Sequence, residues 1–133
     1  MNMFTIGKLS KASGLSRDCL RYYEREGLLS PSEKNSAGYR LYDPSAVERL
    51  HFIKHAKRCG FTLTEINQLL ALTANNSACC NDINHVAREK KIKLDEKIKD
   101  LQQMSAILGQ LIDSCSNDQS SLDHCQILNR LKE

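Results

Sequence analysis

The chain has 133 residues, of which 41% are apolar and 26% charged, with a formal net charge of +3 and six cysteines. That composition suits one or two small domains with a modest core. The longest aliphatic run, 69–72, is far too short to cross a membrane. The N-terminus lacks the basic-then-apolar pattern of a signal peptide, so a cytoplasmic location is expected; there, cysteines favour metal or redox chemistry over a disulfide framework.

In chain order, Thr5 is placed to cap a short helix from Ile6 to about Ser13, with Ile6, Leu9 and Ala12 on one face. Gly14 breaks it. Ser16 is a good cap for a second helix through RDCLRYYERE, with Asp18 in its first turn and Gly27 as its stop. Two short helices joined by a tight glycine turn form the helix-turn-helix pattern. The next stretch holds Pro31, Asn35 and Gly38, then Tyr39, Leu41 and Tyr42 near strand rhythm, which predicts a small hairpin or wing. Asp43-Pro44 opens a third helix to about Arg58, and Gly60 ends it. Thr62 and Glu65 have capping-box spacing, and Phe61 can staple onto Ile66, so a fourth helix follows, carrying Ile66, Leu69 and Leu70. Cys19 and Cys59 read as small hydrophobes, and His51 and His55 as surface or packing residues.

From Cys80 to about Ser114 there is no proline and one glycine, Gly109. Leu94, Ile98, Leu101, Ser105, Leu108, Ile112 and Cys115 recur at alternating spacings of 4 and 3, the seam of a coiled coil. Glu89, Lys93, Glu96, Lys97 and Asp100 crowd the opposite face. A long helix with one apolar stripe and no companion in its own half predicts a homodimer. Charge divides along the same line. Residues 1–75 hold 11 Lys/Arg against 7 Asp/Glu, while residues 76–133 hold 8 against 9. The basic half also contains all four tyrosines, a combination suited to a polyanion. No phosphate-binding glycine loop, nucleophile elbow or credible carboxylate pair stands out, so no enzymatic activity is expected.

RYYEREGLL followed by GYRLY, then VERLHFIKHAKRCGFTLTEINQLL, the long helix and its terminal cysteines, resembles the MerR family of transcription regulators over essentially the whole chain. The resemblance implies a mainly α fold. A winged helix-turn-helix DNA-binding domain (1–75) would be followed by a long antiparallel coiled-coil dimerisation helix (76–114). A C-terminal metal-binding loop with a short helix (115–133) would complete the chain. Arg17 and Arg21, four apart and on one face, would enter the major groove on the recognition helix. Arg40 on the wing and Lys57 near the end of the third helix are expected phosphate contacts, and by the family resemblance so are Tyr22 and Tyr39.

The stretch CSNDQSSLDHC sets two thiols, Cys115 and Cys125, around a polar loop. Two thiolates are fewer than most divalent metals take. Cys80 lies 35 residues before Cys115, about 50 Å along a helix, so it cannot join them within one chain. The metal-sensing members of the family place cysteines correspondingly, which implies a site shared between antiparallel chains: Cys115 and Cys125 of one with Cys80 of the other. Three thiolates suit Zn(II), Cd(II), Pb(II) or Hg(II). Zn(II) usually takes a fourth ligand, for which Cys79, His124, Asp123 or water are candidates. The zinc-sensing branch carries adjacent cysteines and a His in its terminal loop; here the Cys pair is at 79–80 and the His adjoins the final Cys. Monovalent copper is content with two thiolates, and its sensors resemble a version with Ser at position 80. The expected function is metal-responsive activation of efflux or resistance genes by distortion of promoter DNA for RNA polymerase. Cu(I) sensing, thiol redox sensing on the same fold and cytosolic metal buffering are the other readings the sequence leaves open.

Overall fold

The computed structural model describes residues 2–115, 119 and 121–133. The chain divides into two compact units, Met1–Asn84 and His85–Glu133. In the first, α1 (Ile6–Ser13) and α2 (Arg17–Arg25) form the helix-turn-helix. Both starts are local chemistry. The Thr5 hydroxyl accepts from the Lys8 N–H at 3.3 Å, and the Ser16 hydroxyl from the Cys19 N–H at 3.1 Å. Gly14 ends α1 at φ 77°, a left-handed conformation that a side chain would strain.

The wing is a two-stranded antiparallel hairpin, β1 (Glu33–Lys34) and β2 (Arg40–Leu41), with Glu33 opposite Leu41 and Lys34 opposite Arg40. Asn35 organises its turn: the side-chain oxygen accepts from the N–H groups of Ala37 and Tyr39, each at 3.0 Å. Gly38 supplies the positive φ that the turn requires. Tyr42 lies just beyond β2 and makes two backbone hydrogen bonds of 2.8 Å with Phe4, which tie the base of the wing to the segment entering α1.

Helix α3 spans Ser45–Arg58. It begins one residue later than the sequence suggests, because Pro44 is helical in backbone angles yet stands outside the hydrogen-bonded turn. The Asp43 carboxylate still performs the capping, accepting from the Ser45 N–H at 2.9 Å, and that bond holds its carboxyl below the usual carboxylate range. In α4 (Leu63–Thr73) the Thr62–Glu65 capping box is complete in both directions. Thr62→Ala removes half of that box. It should cost about 1 kcal/mol and lower the thermal midpoint of this unit by about 4–8 °C, with Thr62→Ser near wild type in circular-dichroism melts.

The core gathers Leu9, Leu20, Tyr23, Leu28, Leu29, Tyr42, Leu50, Ile53 and Ile66 between the four helices and the wing. Two expectations fail here. Ala12 is exposed, and Ser13, four residues after Leu9 and so on its face, takes the buried place. Its hydroxyl is satisfied, donating to the Ser10 carbonyl and accepting from the Leu15 N–H. Cys59 is exposed rather than a small core residue, because it caps α3 where the chain turns away, whereas Cys19 packs against the core as expected.

Helix α5 spans Cys80–Asp113, and a single 3-10 turn at Leu122–His124 leads into α6 (Gln126–Leu131). On α5, Ile98, Leu101, Leu108 and Ile112 of the predicted seam are 52–62% exposed in the single chain, as are the neighbouring Met104 and Ile107. Polar pairs also line the first half of the helix, with His85–Glu89 at 3.1 Å and Lys91–Asp95 at 2.9 Å. Among the described residues no helix is long and apolar enough to cross a membrane.

Candidate nucleic-acid interface and metal ligands

Four of the six residues expected to contact DNA converge on one groove of about 420 Å³ in the first unit. Arg17 and Arg21 reach it from α2, Tyr39 and Arg40 from the wing, with Thr5, Ile6, Gly38 and Tyr42 completing the lining. Helix periodicity puts the two arginines on one face, and the Asn35 turn carries Tyr39 and Arg40 across from them. Tyr39 is 68% exposed, so its ring is available for contact. Arg21 makes an exposed 3.4 Å pair with Asp18, a link too weak in water to tie the guanidinium down.

Arg17 lies against α1. Its guanidinium nitrogen would be 2.8 Å from a Cβ at Gly7. Gly7 is helical, so its lack of a side chain costs helix stability, and the space it leaves is where Arg17 rests. Tyr22 and Lys57 lie outside the groove. Tyr22 is exposed beneath the Arg25 guanidinium at 5.9 Å, and the Lys57 ammonium stands 5.7 Å over the Tyr23 ring. Tyr23 is itself core, and burial, with the nearby Cys19, pushes its phenol up to about 12.

Sequence reasoning passed over Glu24. Its carboxylate pairs with the Arg40 guanidinium and accepts a 2.6 Å hydrogen bond from the Tyr42 hydroxyl. Its position, three residues after Arg21 and seven after Arg17 on the same helix face, was the available signal.

The metal-ligand candidates divide between the two units. Cys79 and Cys80 are exposed at the start of α5, where the Cys79 N–H donates to the Asp82 carboxylate at 2.8 Å. Cys115 and Cys125 are half-buried free thiols. Cys115 follows the last turn of α5, its N–H bonded to the Ile112 carbonyl at 3.0 Å. Cys125 closes the 3-10 turn, its N–H bonded to the Leu122 carbonyl, and its own carbonyl accepts from the N–H of Asn129 within α6. The Asn129 amide also donates to the Asp123 carbonyl at 3.3 Å, pinning the turn beside Cys125. His124 and Asp123 are exposed. Residues 116–118 and 120 of the expected metal-binding loop lie outside the described residues. Among the described residues, no three His, Cys, Asp or Glu side chains of one chain are grouped to hold an ion. Soft thiolates are nonetheless the donors that Zn(II), Cd(II), Pb(II) and Hg(II) favour.

The pattern described as "MerR HTH family regulatory protein" matches residues 4–73, and that described as "MerR, DNA binding" matches residues 47–111. The mercuric resistance operon regulatory protein of Bacillus cereus is 36% identical over 128 residues, 96% of each chain. The HTH-type transcriptional regulator ZntR of Escherichia coli K12 is 32% identical, covering 98% of this chain and 94% of its own. Among solved structures, the transcription regulator PbrR691 of Ralstonia metallidurans CH34 in complex with lead(II) superposes with a TM-score of 0.87. It is 33% identical, with 97% of this chain and 99% of that one covered.

Proposed function

The chain belongs to the MerR family of helix-turn-helix regulators, and from that premise we propose that it is a metal-responsive transcription regulator, not an enzyme, acting in the cytoplasm as a homodimer on promoter DNA. The DNA half of this reading is carried by the groove in which Arg17 and Arg21 of α2 meet Tyr39 and Arg40 of the wing. Arginines on a recognition helix read guanine edges, and the wing cation and phenol hold the backbone. Tyr22 and Lys57 add contacts to flanking phosphates. The metal half is supported by the names of the relatives, which concern mercury and lead, and by the thiolate donor set of Cys80, Cys115 and Cys125.

The exposed stripe of α5 supports pairing of two chains. Each such side chain is already about half covered by its own helix, so moving the rest from water to a partner helix contributes about 0.8–1.5 kcal/mol, half the value for full burial. Cys80 opens α5 and Cys115 follows its far end. Antiparallel pairing therefore brings Cys80 of one chain beside Cys115 and Cys125 of the other, with Cys79 and His124 at hand as further donors. A divalent ion of the Zn(II), Cd(II), Pb(II) or Hg(II) class, when bound there, cross-links the two chains through their thiolates. The ion favours one arrangement of the dimer over another. The output is a bent and untwisted promoter on which RNA polymerase initiates, at genes for metal efflux or resistance. DNA deformation is the energetic cost that the protein–DNA contacts offset.

Mixing tests the shared site. Cys80→Ser protein and Cys115→Ser/Cys125→Ser protein each lack a complete site as homodimers. Their heterodimer holds one intact three-thiolate site and one that has lost all three. Thiolate-to-metal charge-transfer absorbance with Cd(II) or Hg(II) should return at one ion per heterodimer. Verified heterodimers that recover no absorbance would show that the ligands do not come from two chains.

A further inference from the structure

We propose that Glu24 is a positioning residue for DNA recognition: its carboxylate locks the wing cation Arg40 into register with Arg17 and Arg21. The proposal rests on the DNA-binding reading above. Glu24 belongs to α2, on the face that carries both recognition arginines, yet its side chain is only 13% exposed. One carboxylate serves two residues of the wing's second strand and base, pairing with the Arg40 guanidinium and accepting from the Tyr42 hydroxyl. Tyr42 is in turn fixed by its backbone bonds to Phe4 and by burial in the core. Burial, then the bond to Glu24, raises its phenol to about 12, so it remains a donor at any physiological pH. A rigid anchor therefore sits on one side of Glu24 and a half-exposed cation on the other.

The arrangement has a cost that a merely decorative ion pair would not justify. A carboxylate beside a cation that faces DNA repels phosphate and cancels part of the charge of Arg40. Long-range electrostatics alone therefore says that removing it should tighten binding. Positioning says the opposite. Arg40 keeps 54% of its side chain exposed, and its planar guanidinium has donors left over after meeting one carboxylate. Held at Glu24, Arg40 stays in the lining of the groove shared with Arg17 and Arg21. Released, Arg40 becomes a mobile surface cation that must lose rotamer freedom each time it binds.

The test is a double-mutant cycle on the full-length dimer. The probes are a duplex selected from a random pool by the wild-type protein and a scrambled duplex of equal length, at matched salt. Glu24→Gln keeps the shape and an acceptor for Tyr42. It is expected to weaken binding to the selected duplex about tenfold, the size of a typical coupling between touching residues, and to leave the scrambled duplex unchanged or slightly tighter. In an Arg40→Ala background the Glu24→Gln loss should vanish. Wild-type or tighter binding by Glu24→Gln overturns the proposal while leaving the DNA role of Arg40 intact, provided Arg40→Ala is itself impaired. A loss that persists undiminished beside Arg40→Ala overturns it in favour of a packing role. If Arg40→Ala binds like wild type, the DNA reading of Arg40 fails and the proposal falls with it. Where Glu24→Gln folds too poorly to assay, Glu24→Asp, which shortens the reach by one methylene, enters the same cycle with the same expectations.

Discussion

Cys125→Ser protein should bind its promoter with wild-type affinity and give no transcriptional response to metal. The substitution removes one thiolate from a proposed three-thiolate site. A thiolate-rich structural zinc site stabilises by about 10–16 kcal/mol over four ligands. One ligand's share is then about 2.5–4 kcal/mol, a loss of roughly 10²-fold to 10³-fold in metal affinity. Serine is a poor substitute, because its hydroxyl does not ionise near neutral pH and is a hard donor to soft ions. DNA binding should be spared, since Cys125 belongs to the unit His85–Glu133 and the groove lies wholly in Met1–Asn84. Run-off transcription across a metal titration, with DNA anisotropy on the same samples, checks both halves. Full induction by Cys125→Ser at wild-type metal concentrations would remove the terminal loop from the sensor.

Arg21→Ala should have the converse phenotype: no specific DNA binding, with dimerisation and metal affinity retained. A good contact to a base edge is worth about 1–3 kcal/mol, and a dimer makes it twice. The expected loss is therefore about 2–6 kcal/mol, roughly 30-fold to 10⁴-fold. Little of the fold depends on this side chain. It is exposed, and its pair with Asp18 is a surface contact of the kind that contributes well under 1 kcal/mol. Selected-duplex affinity at matched salt, beside an unchanged melting curve, is the measurement. Wild-type affinity would mean that α2 does not present Arg21 to the bases.

What the sequence discloses about this fold is what is local. Thr5, Ser16 and the Thr62–Glu65 box mark helix starts because the cap and the N–H it satisfies lie within three residues of each other. Asn35 and Gly38 mark the wing for the same reason. The failures are of another kind. Ala12 and Ser13 exchange places because a helix of about two turns leaves the edge of its buried stripe undecided until a neighbouring helix arrives. The Phe4–Tyr42 bridge joins residues 38 positions apart, and no pattern in either segment announces its partner. The site divides likewise. Arg17 and Arg21 are legible as a helical pair, but their meeting with Tyr39 and Arg40, and the pairing of Arg40 with Glu24, exist only after folding.

The tyrosines have a practical consequence. The chain has no tryptophan, and Tyr22, Tyr23, Tyr39 and Tyr42 all belong to the unit Met1–Asn84. Its intrinsic ultraviolet emission is therefore a reporter confined to the helix-turn-helix and wing. The four emitters differ in surroundings. Tyr42 donates to a carboxylate, an arrangement that quenches phenol fluorescence, whereas Tyr39 stands open on the hairpin, where contact with a DNA backbone would change its surroundings. No emitter lies in His85–Glu133, the unit of Cys115 and Cys125. Light from this protein thus observes the DNA-reading end alone. Once absorbance by the metal–thiolate bonds is corrected for, a change in emission lifetime on adding Cd(II) without DNA would register the signal arriving at the wing.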